Sequence, residues 1–208
     1  MGDDSIVFLV DDDHNVRDAL SLFLESSGLQ VRAYPSAQAF LEQYDSQHPG
    51  CLVLDIRMPG MSGMELQQEL IKRHIDVPII FLTGHGDIPM SVKALKAGAI
   101  DFIEKPFNDE VLLNCIHEAI AKDAQTRMFN AQKSKILAYY AQLTRREKEV
   151  MTFVISGHSN KEIARELDIS HRTIDVHRAR IMDKMQANSL PELVSMTTLY
   201  GLQNISRD

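Results

Sequence analysis

Residues 5–13 read SIVFLVDDD, an unbroken apolar run, rich in β-branched residues, that ends in three carboxylates. Apolar residues without alternation describe a strand buried on both faces, as in a parallel sheet. Val16, Ala19, Leu20, Phe23 and Leu24 follow at helical spacing. This strand-then-helix unit recurs. Leu29–Ala33, Cys51–Asp55, Pro78–Leu82 and Asp101–Glu104 are further strand candidates, with helical stretches near 36–45, 63–73, 87–97 and 108–122. Five such units predict an α/β domain: a five-stranded, parallel, doubly wound sheet of flavodoxin-like class.

The strands end in chemistry. The first runs into Asp11-Asp12-Asp13, the third ends at Asp55, the fourth at Thr83-Gly84, and the fifth is followed by Lys105-Pro106. Ligands of such sheets bind outside the carboxyl ends of the strands, where these residues converge. Clustered carboxylates repel one another unless a cation sits among them, and hard oxygen donors suit Mg²⁺. A carboxylate beside such a metal can attack a phosphoryl group, whose oxygens a hydroxyl and an ammonium would neutralise. A lone Asp at a strand end is more often a helix cap, and Asp13 is expected to be one. Four strand-end elements in the right order outweigh that reading for Asp55.

Beyond residue 122 the pattern changes. Lys122–Ala141 is rich in Ala, Gln and Lys without Gly or Pro, which favours a linker helix. The strand signal then disappears. Thr144-Arg-Arg-Glu147, Ser159-Asn-Lys-Glu162 and Ser189-Leu-Pro-Glu192 have capping-box spacing, and Ser170 is placed to cap a helix running to about Met185. Four short helices make a small all-α domain. The expected division is 1–122, a helical linker 123–141, and 142–208.

The chain has 208 residues, 44% hydrophobic and 25% charged, enough for sizeable cores. Its net charge of −7 is uneven. Residues 1–140 carry 12 Lys and Arg against 20 Asp and Glu, whereas residues 141–208 carry 10 against 9. An acidic first part on a slightly basic second part fits a regulatory module joined to a nucleic-acid binder. No apolar run is long enough for a membrane span. The acidic start MGDDSIVFLV, with Ile6 at the sixth position, matches neither a secretory signal nor a myristoylation site. Cys51 and Cys115 read as buried thiols, the eight histidines lack metal-ligand spacing, and Tyr139-Tyr140 is expected to pack the linker against a domain.

Residues 5–122 resemble the receiver domain of bacterial two-component response regulators, with VDDD, LDIRMPGMSG, FLTGHG and EKPF in the family's order and spacing. The resemblance implies Asp55 as phospho-acceptor and Asp11 and Asp12 as the acidic pair. It implies Mg²⁺ held by Asp12, Asp55 and the Arg57 backbone carbonyl, with Asp11 acting through water. Thr83 and Lys105 match the phosphate-binding positions and Phe102 the switch aromatic. Lys105-Pro106 matches a bond that is often cis in receivers. Gly84 is expected to be small because a larger side chain would crowd the acceptor. Arg57 and His85 fall at positions expected to tune dephosphorylation.

Residues 142–208 resemble the LuxR-type helix-turn-helix, through LTRREKEV, GHSNKEIARELDIS and HRTIDVHRARIMDKM, and the pair of domains resembles the FixJ-like branch and regulators of aromatic-hydrocarbon catabolism. In the 171–185 helix, Ile174, Ile181 and Met185 share one face and should pack inward. Arg172, Asp175, Val176, Ala179 and Arg180 project from the other, where the major groove would lie. Arg suits guanine, Asp suits cytosine, and Val or Ala suits a thymine methyl, although Asp175 departs from a basic surface and could pair with a neighbouring Arg. Thr173 and Lys161 are candidate phosphate contacts near helix N-termini. The implied function is a cytoplasmic transcription factor, phosphorylated by a sensor histidine kinase, that dimerises through helix 87–97 and strand 101–104. It would then bind promoter DNA and activate transcription with RNA polymerase. Arg57 stands where a phosphatase would need an acid/base Asp, so slow self-phosphorylation and self-dephosphorylation are the only catalysis expected.

Overall fold

The computed structural model describes residues 5–84 and 88–202. They form two compact units, Met1–Arg127 and Met128–Asp208. In the first, strands β1 (Ile6–Val10), β2 (Gln30–Tyr34), β3 (Gly50–Asp55), β4 (Ile79–Thr83) and β5 (Asp101–Glu104) make one parallel sheet in the order β2-β1-β3-β4-β5. Helices α1 (His14–Ser26), α2 (Ala37–Gln43), α3 (Gly63–Lys72), α4 (Ile88–Lys96) and α5 (Asp109–Ala141) connect and follow the strands.

The alternation of each buried strand feeds two cores. Phe8 and Val10 face Phe40 of α2, Leu66 and Leu70 of α3 and Ala94 of α4. Val7 and Leu9 face Leu20 and Leu24 of α1 and Leu112, Ile116 and Ala119 of α5. Asp13 caps α1 through the Asn15 N–H at 2.8 Å, and Ser62 with Glu65 forms a capping box on α3. Cys51 and Cys115 are both buried free thiols, pushed up to about 12 by burial first of all.

The amino end of the sheet is tied to α5. Buried Asp123 accepts from the Gly50 N–H at 2.9 Å and from Arg127 Nε at 2.6 Å, and Arg127 also donates to the carbonyls of Ser46 and His48. Gly50 is obligatory there: its φ is +152°, and a Cβ would lie 1.8 Å from the Ile6 carbonyl oxygen. Helix α5 is one continuous helix, so the stretch read as 108–122 and the linker 123–141 are not separated by a break. Packing divides that linker, since Asp123 anchors in the first unit whereas Ile136 and Tyr140 enter the core of the second.

The second unit adds α6 (Arg145–Ile155), α7 (Asn160–Glu166), α8 (His171–Met185) and α9 (Leu190–Leu199). Thr144 and Ser159 form full capping boxes with Glu147 and Glu162. Ser189 caps α9, but Glu192 reaches back to the Asn188 N–H at 2.8 Å, one residue earlier than the spacing predicts. The core gathers Val150, Val154, Ile163, Ile174, Ile181, Met185 and Leu193, and Tyr140 lies under Lys148 with its ring centre 4.5 Å from Nζ.

Glu147 does more than cap. It is 2% exposed, and its Oε2 also accepts from Lys184 Nζ at 2.7 Å, clamping α6 to the last turn of α8. Burial alone would raise its carboxyl, but the Lys184 ammonium and the Thr144 N–H and O–H outweigh burial and hold it down at about 2, against an ordinary 4.5. A depressed carboxylate stabilises the fold fully above its open-chain value, and that contribution is lost as pH falls through about 2. Glu147→Gln should therefore weaken this unit by about 3 kcal/mol near neutral pH. The deficit should shrink below pH 4.5. Hydrogen-exchange protection of α8 amides at several pH values measures it; a deficit unchanged down to acid pH would contradict the pairing.

Candidate functional site

The strand ends of the first unit converge as the sheet order requires, because β1, β3, β4 and β5 are successive neighbours. Asp11, 2% exposed, follows β1, and its Oδ1 accepts from the Asp13 N–H at 2.9 Å. Asp55, 8% exposed, ends β3, and its Oδ2 accepts from the Arg57 N–H at 2.7 Å. Lys105 follows β5 and bridges the two carboxylates. Its Nζ lies 2.8 Å from Asp11 Oδ2 and 2.8 Å from Asp55 Oδ1. The Lys105 N–H donates to the carbonyl of buried Thr83, the last residue of β4, at 2.6 Å.

The electrostatics follow from burial. Desolvation pushes the Asp55 carboxyl above its usual range, against the pull of Lys105. Lys105 loses charge stability through its own burial, but the two carboxylates outweigh this and keep it firmly protonated. The pocket thus holds two anionic positions and one shared cation.

The surrounding residues take different places. Asp12 is exposed on the turn into α1, and Arg57 is exposed while its N–H binds Asp55. Phe102 is half-buried, paired in register with Phe81, with ring centres 6.4 Å apart. The Lys105-Pro106 bond is cis. At Gly84 a Cβ would meet nothing within 4 Å among the described residues. Beside the acceptor the tight glycine is Gly63, where a Cβ would stand 2.3 Å from the Asp55 carbonyl oxygen. Arg17, which motif reading passes over, donates from Nη1 to the Asp11 carbonyl at 2.8 Å and fixes the acidic turn to α1. His85 lies outside the described residues. The donors here are hard oxygens, and Mg²⁺ takes only one or two protein carboxylates together with waters, so the donor chemistry fits that ion. Among the described residues, no three His, Cys, Asp or Glu side chains are grouped to hold a metal by themselves.

In the second unit α7, a short turn and α8 follow one another, with α8 capped by the Ser170 hydroxyl. Ile174, Ile181 and Met185 are buried. Arg172, Asp175, Val176, Ala179 and Arg180 are exposed on α8, as is Lys161 on α7. Thr173 is half-buried, with its hydroxyl 2.8 Å from Ser170 Oγ. Asp175 is engaged, though not directly with an Arg. Its Oδ1 accepts from Asn160 Nδ2 at 2.6 Å and its Oδ2 lies 3.4 Å from His171 Nδ1, while Arg178 Nη1 donates to Asn160 Oδ1 at 3.0 Å. Asn160 and Arg178 carry no sequence signal for this, because the bonds cross between helices.

Comparison with known proteins assigns a family to each unit. The "Response regulator receiver domain" family matches residues 7–117, and "Bacterial regulatory proteins, luxR family" matches residues 141–197. The chain is 47% identical over 194 residues to the response regulator protein TmoT of Ectopseudomonas mendocina, covering 93% of this chain and 88% of TmoT. It is 46% identical over 198 residues to the transcriptional regulatory protein FixJ of Bradyrhizobium diazoefficiens, covering 95% and 97%. The solved structure of the response regulator StyR superposes with a TM-score of 0.85 at 44% identity, covering 95% of this chain and all of that one. With an acidic strand-end pocket in one unit and a helix-turn-helix in the other, the chain belongs to the two-component transcriptional response regulators of the FixJ-like branch, a receiver domain followed by a LuxR-type DNA-binding domain.

Proposed function

We propose that Asp55 accepts a phosphoryl group from a sensor histidine kinase and that this modification switches the DNA-binding domain on. The observation that carries the reading is the shared position of Lys105, 2.8 Å from both Asp11 and Asp55. One Asp55 carboxylate oxygen attacks the phosphorus of a phosphohistidine; the P–N bond breaks, and its electron pair returns to the donor's imidazole. Asp12, Asp55 and the Arg57 carbonyl, with Asp11 through water, would hold Mg²⁺, which when bound would neutralise charge on the phosphoryl oxygens. Lys105 moves its partnership from the Asp55 carboxylate to a phosphoryl oxygen, because an acyl phosphate concentrates more negative charge there. The Thr83 hydroxyl takes a second oxygen. Arg57 offers no acid/base carboxylate for turnover, which favours slow self-phosphorylation and self-dephosphorylation over enzymatic hydrolysis.

The register supplies a route outward. Phe81 pairs with Phe102 and Thr83 with Glu104, so a shift of Thr83 is felt by Phe102 through adjacent strands. β5 is an edge strand, and Val92 and Leu95 on α4 are each 44% exposed, which supports homodimerisation through this face. Two joined α8 helices then engage neighbouring half-sites of promoter DNA. Arg172, Val176, Ala179 and Arg180 face the groove, Asp175 stands among them bonded to Asn160, and Thr173 and Lys161 lie towards phosphate. Like FixJ, by its name a transcriptional regulatory protein, this chain acts on promoters, here as a cytoplasmic activator with RNA polymerase. No helix among the described residues is long and apolar enough to cross a membrane.

Asp55→Asn should abolish labelling by acetyl phosphate with Mg²⁺, because the amide is a far poorer nucleophile and metal ligand. Acid-stable labelling at the wild-type level would overturn the assignment. Thr83→Ala should still accept phosphate but dimerise much less, since the hydroxyl that follows the phosphoryl oxygen is gone. Light scattering with and without acetyl phosphate checks this; dimerisation as complete as in the wild type would rule out the route through Thr83.

A further inference from the structure

We infer that Asp175 is a positioning residue that clips α7 to α8, and that it reads no base. The inference deepens the reading of α8 as the groove helix and rests on it. Four side chains form one chain of polar contacts across the helix-turn-helix. Arg178 Nη1 donates to Asn160 Oδ1 at 3.0 Å, Asn160 Nδ2 donates to Asp175 Oδ1 at 2.6 Å, and His171 Nδ1 lies 3.4 Å from Asp175 Oδ2. The arrangement fixes the Asn160 amide in one sense. Its oxygen must meet the guanidinium, which only donates, and its nitrogen must meet the carboxylate, which only accepts.

The helices explain why such a clip is needed. Asn160 is the first residue of α7, and Asp175 and Arg178 stand one turn apart on α8. α7 has seven residues, with Ile163 fully buried and Ala164 and the C-cap Leu167 only partly so, and this small apolar contact leaves its rotation against α8 weakly determined. A polar link at its first turn removes that freedom and sets the angle at which both helices meet a duplex. The link also accounts for a carboxylate on a surface that must approach phosphates. Asp175 Oδ1 is already taken at 2.6 Å by a strong charge-assisted bond. Its Oδ2 lies 3.4 Å from His171 Nδ1, so each oxygen of the carboxylate already faces a protein nitrogen.

The test uses the full chain after treatment with acetyl phosphate and Mg²⁺. A randomised duplex library selects a preferred sequence, and a panel of its single-base-pair variants is titrated against each protein. Asp175→Ala and Asn160→Ala should each weaken binding roughly three- to tenfold, evenly across the panel, with the double variant no weaker than either single one. Asp175→Asn keeps an oxygen for the Asn160 amide and should restore wild-type binding and preferences. A flattened preference at one base pair in Asp175→Ala would overturn the clip. So would a shift of that pair from C·G towards A·T in Asp175→Asn, additive losses in the double variant, or no loss in either single one. Arg180→Ala on the same panel tests the underlying reading. If it leaves every preference unchanged, Arg180 is not a specificity residue of α8, a failure distinct from any outcome at Asp175 or Asn160.

Discussion

One ammonium group stands between two buried carboxylates, and the first unit is organised around that fact. Asp11 and Asp55 close neighbouring strands with little exposure to water, so their charges repel across a medium that screens poorly. Lys105, the residue directly after β5, removes the repulsion by bonding both at 2.8 Å through its Nζ. The backbone cooperates. The Lys105 N–H is held by the Thr83 carbonyl, Asp55 is fixed by the Arg57 N–H, and the Asp11 carbonyl is pinned to α1 by Arg17. A pocket balanced by a single shared cation responds to any group that changes its charge, which is the property a phosphorylation switch needs.

The second unit uses charge differently. Glu147, 2% exposed, and the half-buried Lys184 form a clamp between α6 and α8 that is structural. Asp175, Asn160 and Arg178 form a partly exposed network on the side of α8 that carries Arg172 and Arg180. The first secures the fold of the domain, and the second sets the angle between two helices within it. Both join residues distant in sequence, and both leave the apolar stripe of Ile174, Ile181 and Met185 free to pack.

Local patterns made much of this legible beforehand. Runs such as SIVFLVD and Cys51–Asp55 read as buried strands because nothing polar interrupts them, and the order of their terminal residues located the pocket. Thr144, Ser159 and Ser170 marked helix starts because capping is chemistry between residues three apart. What stayed hidden joins residues far apart in sequence or depends on surrounding atoms. Lys184 is 37 residues from Glu147, and Asn160 is 15 from Asp175, so no periodicity connects them. The glycines show the same limit: proximity to the acceptor pointed to Gly84, whereas the backbone crowds Gly63. Motif order identifies a site, and the atoms around each backbone position decide which residues it compels.

On the proposed reading, the pocket balanced by Lys105 makes one particular carboxylate, Asp55, the acceptor among four acidic candidates at the strand ends. The most direct measurement traps the modified residue itself. After the full chain is phosphorylated with acetyl phosphate and Mg²⁺, borohydride reduces the acyl phosphate to an alcohol, and a modified aspartate becomes homoserine. Peptide mapping by mass spectrometry then reads its position. The account predicts homoserine at position 55 alone; homoserine at position 11, 12 or 13 with position 55 unmodified would contradict it.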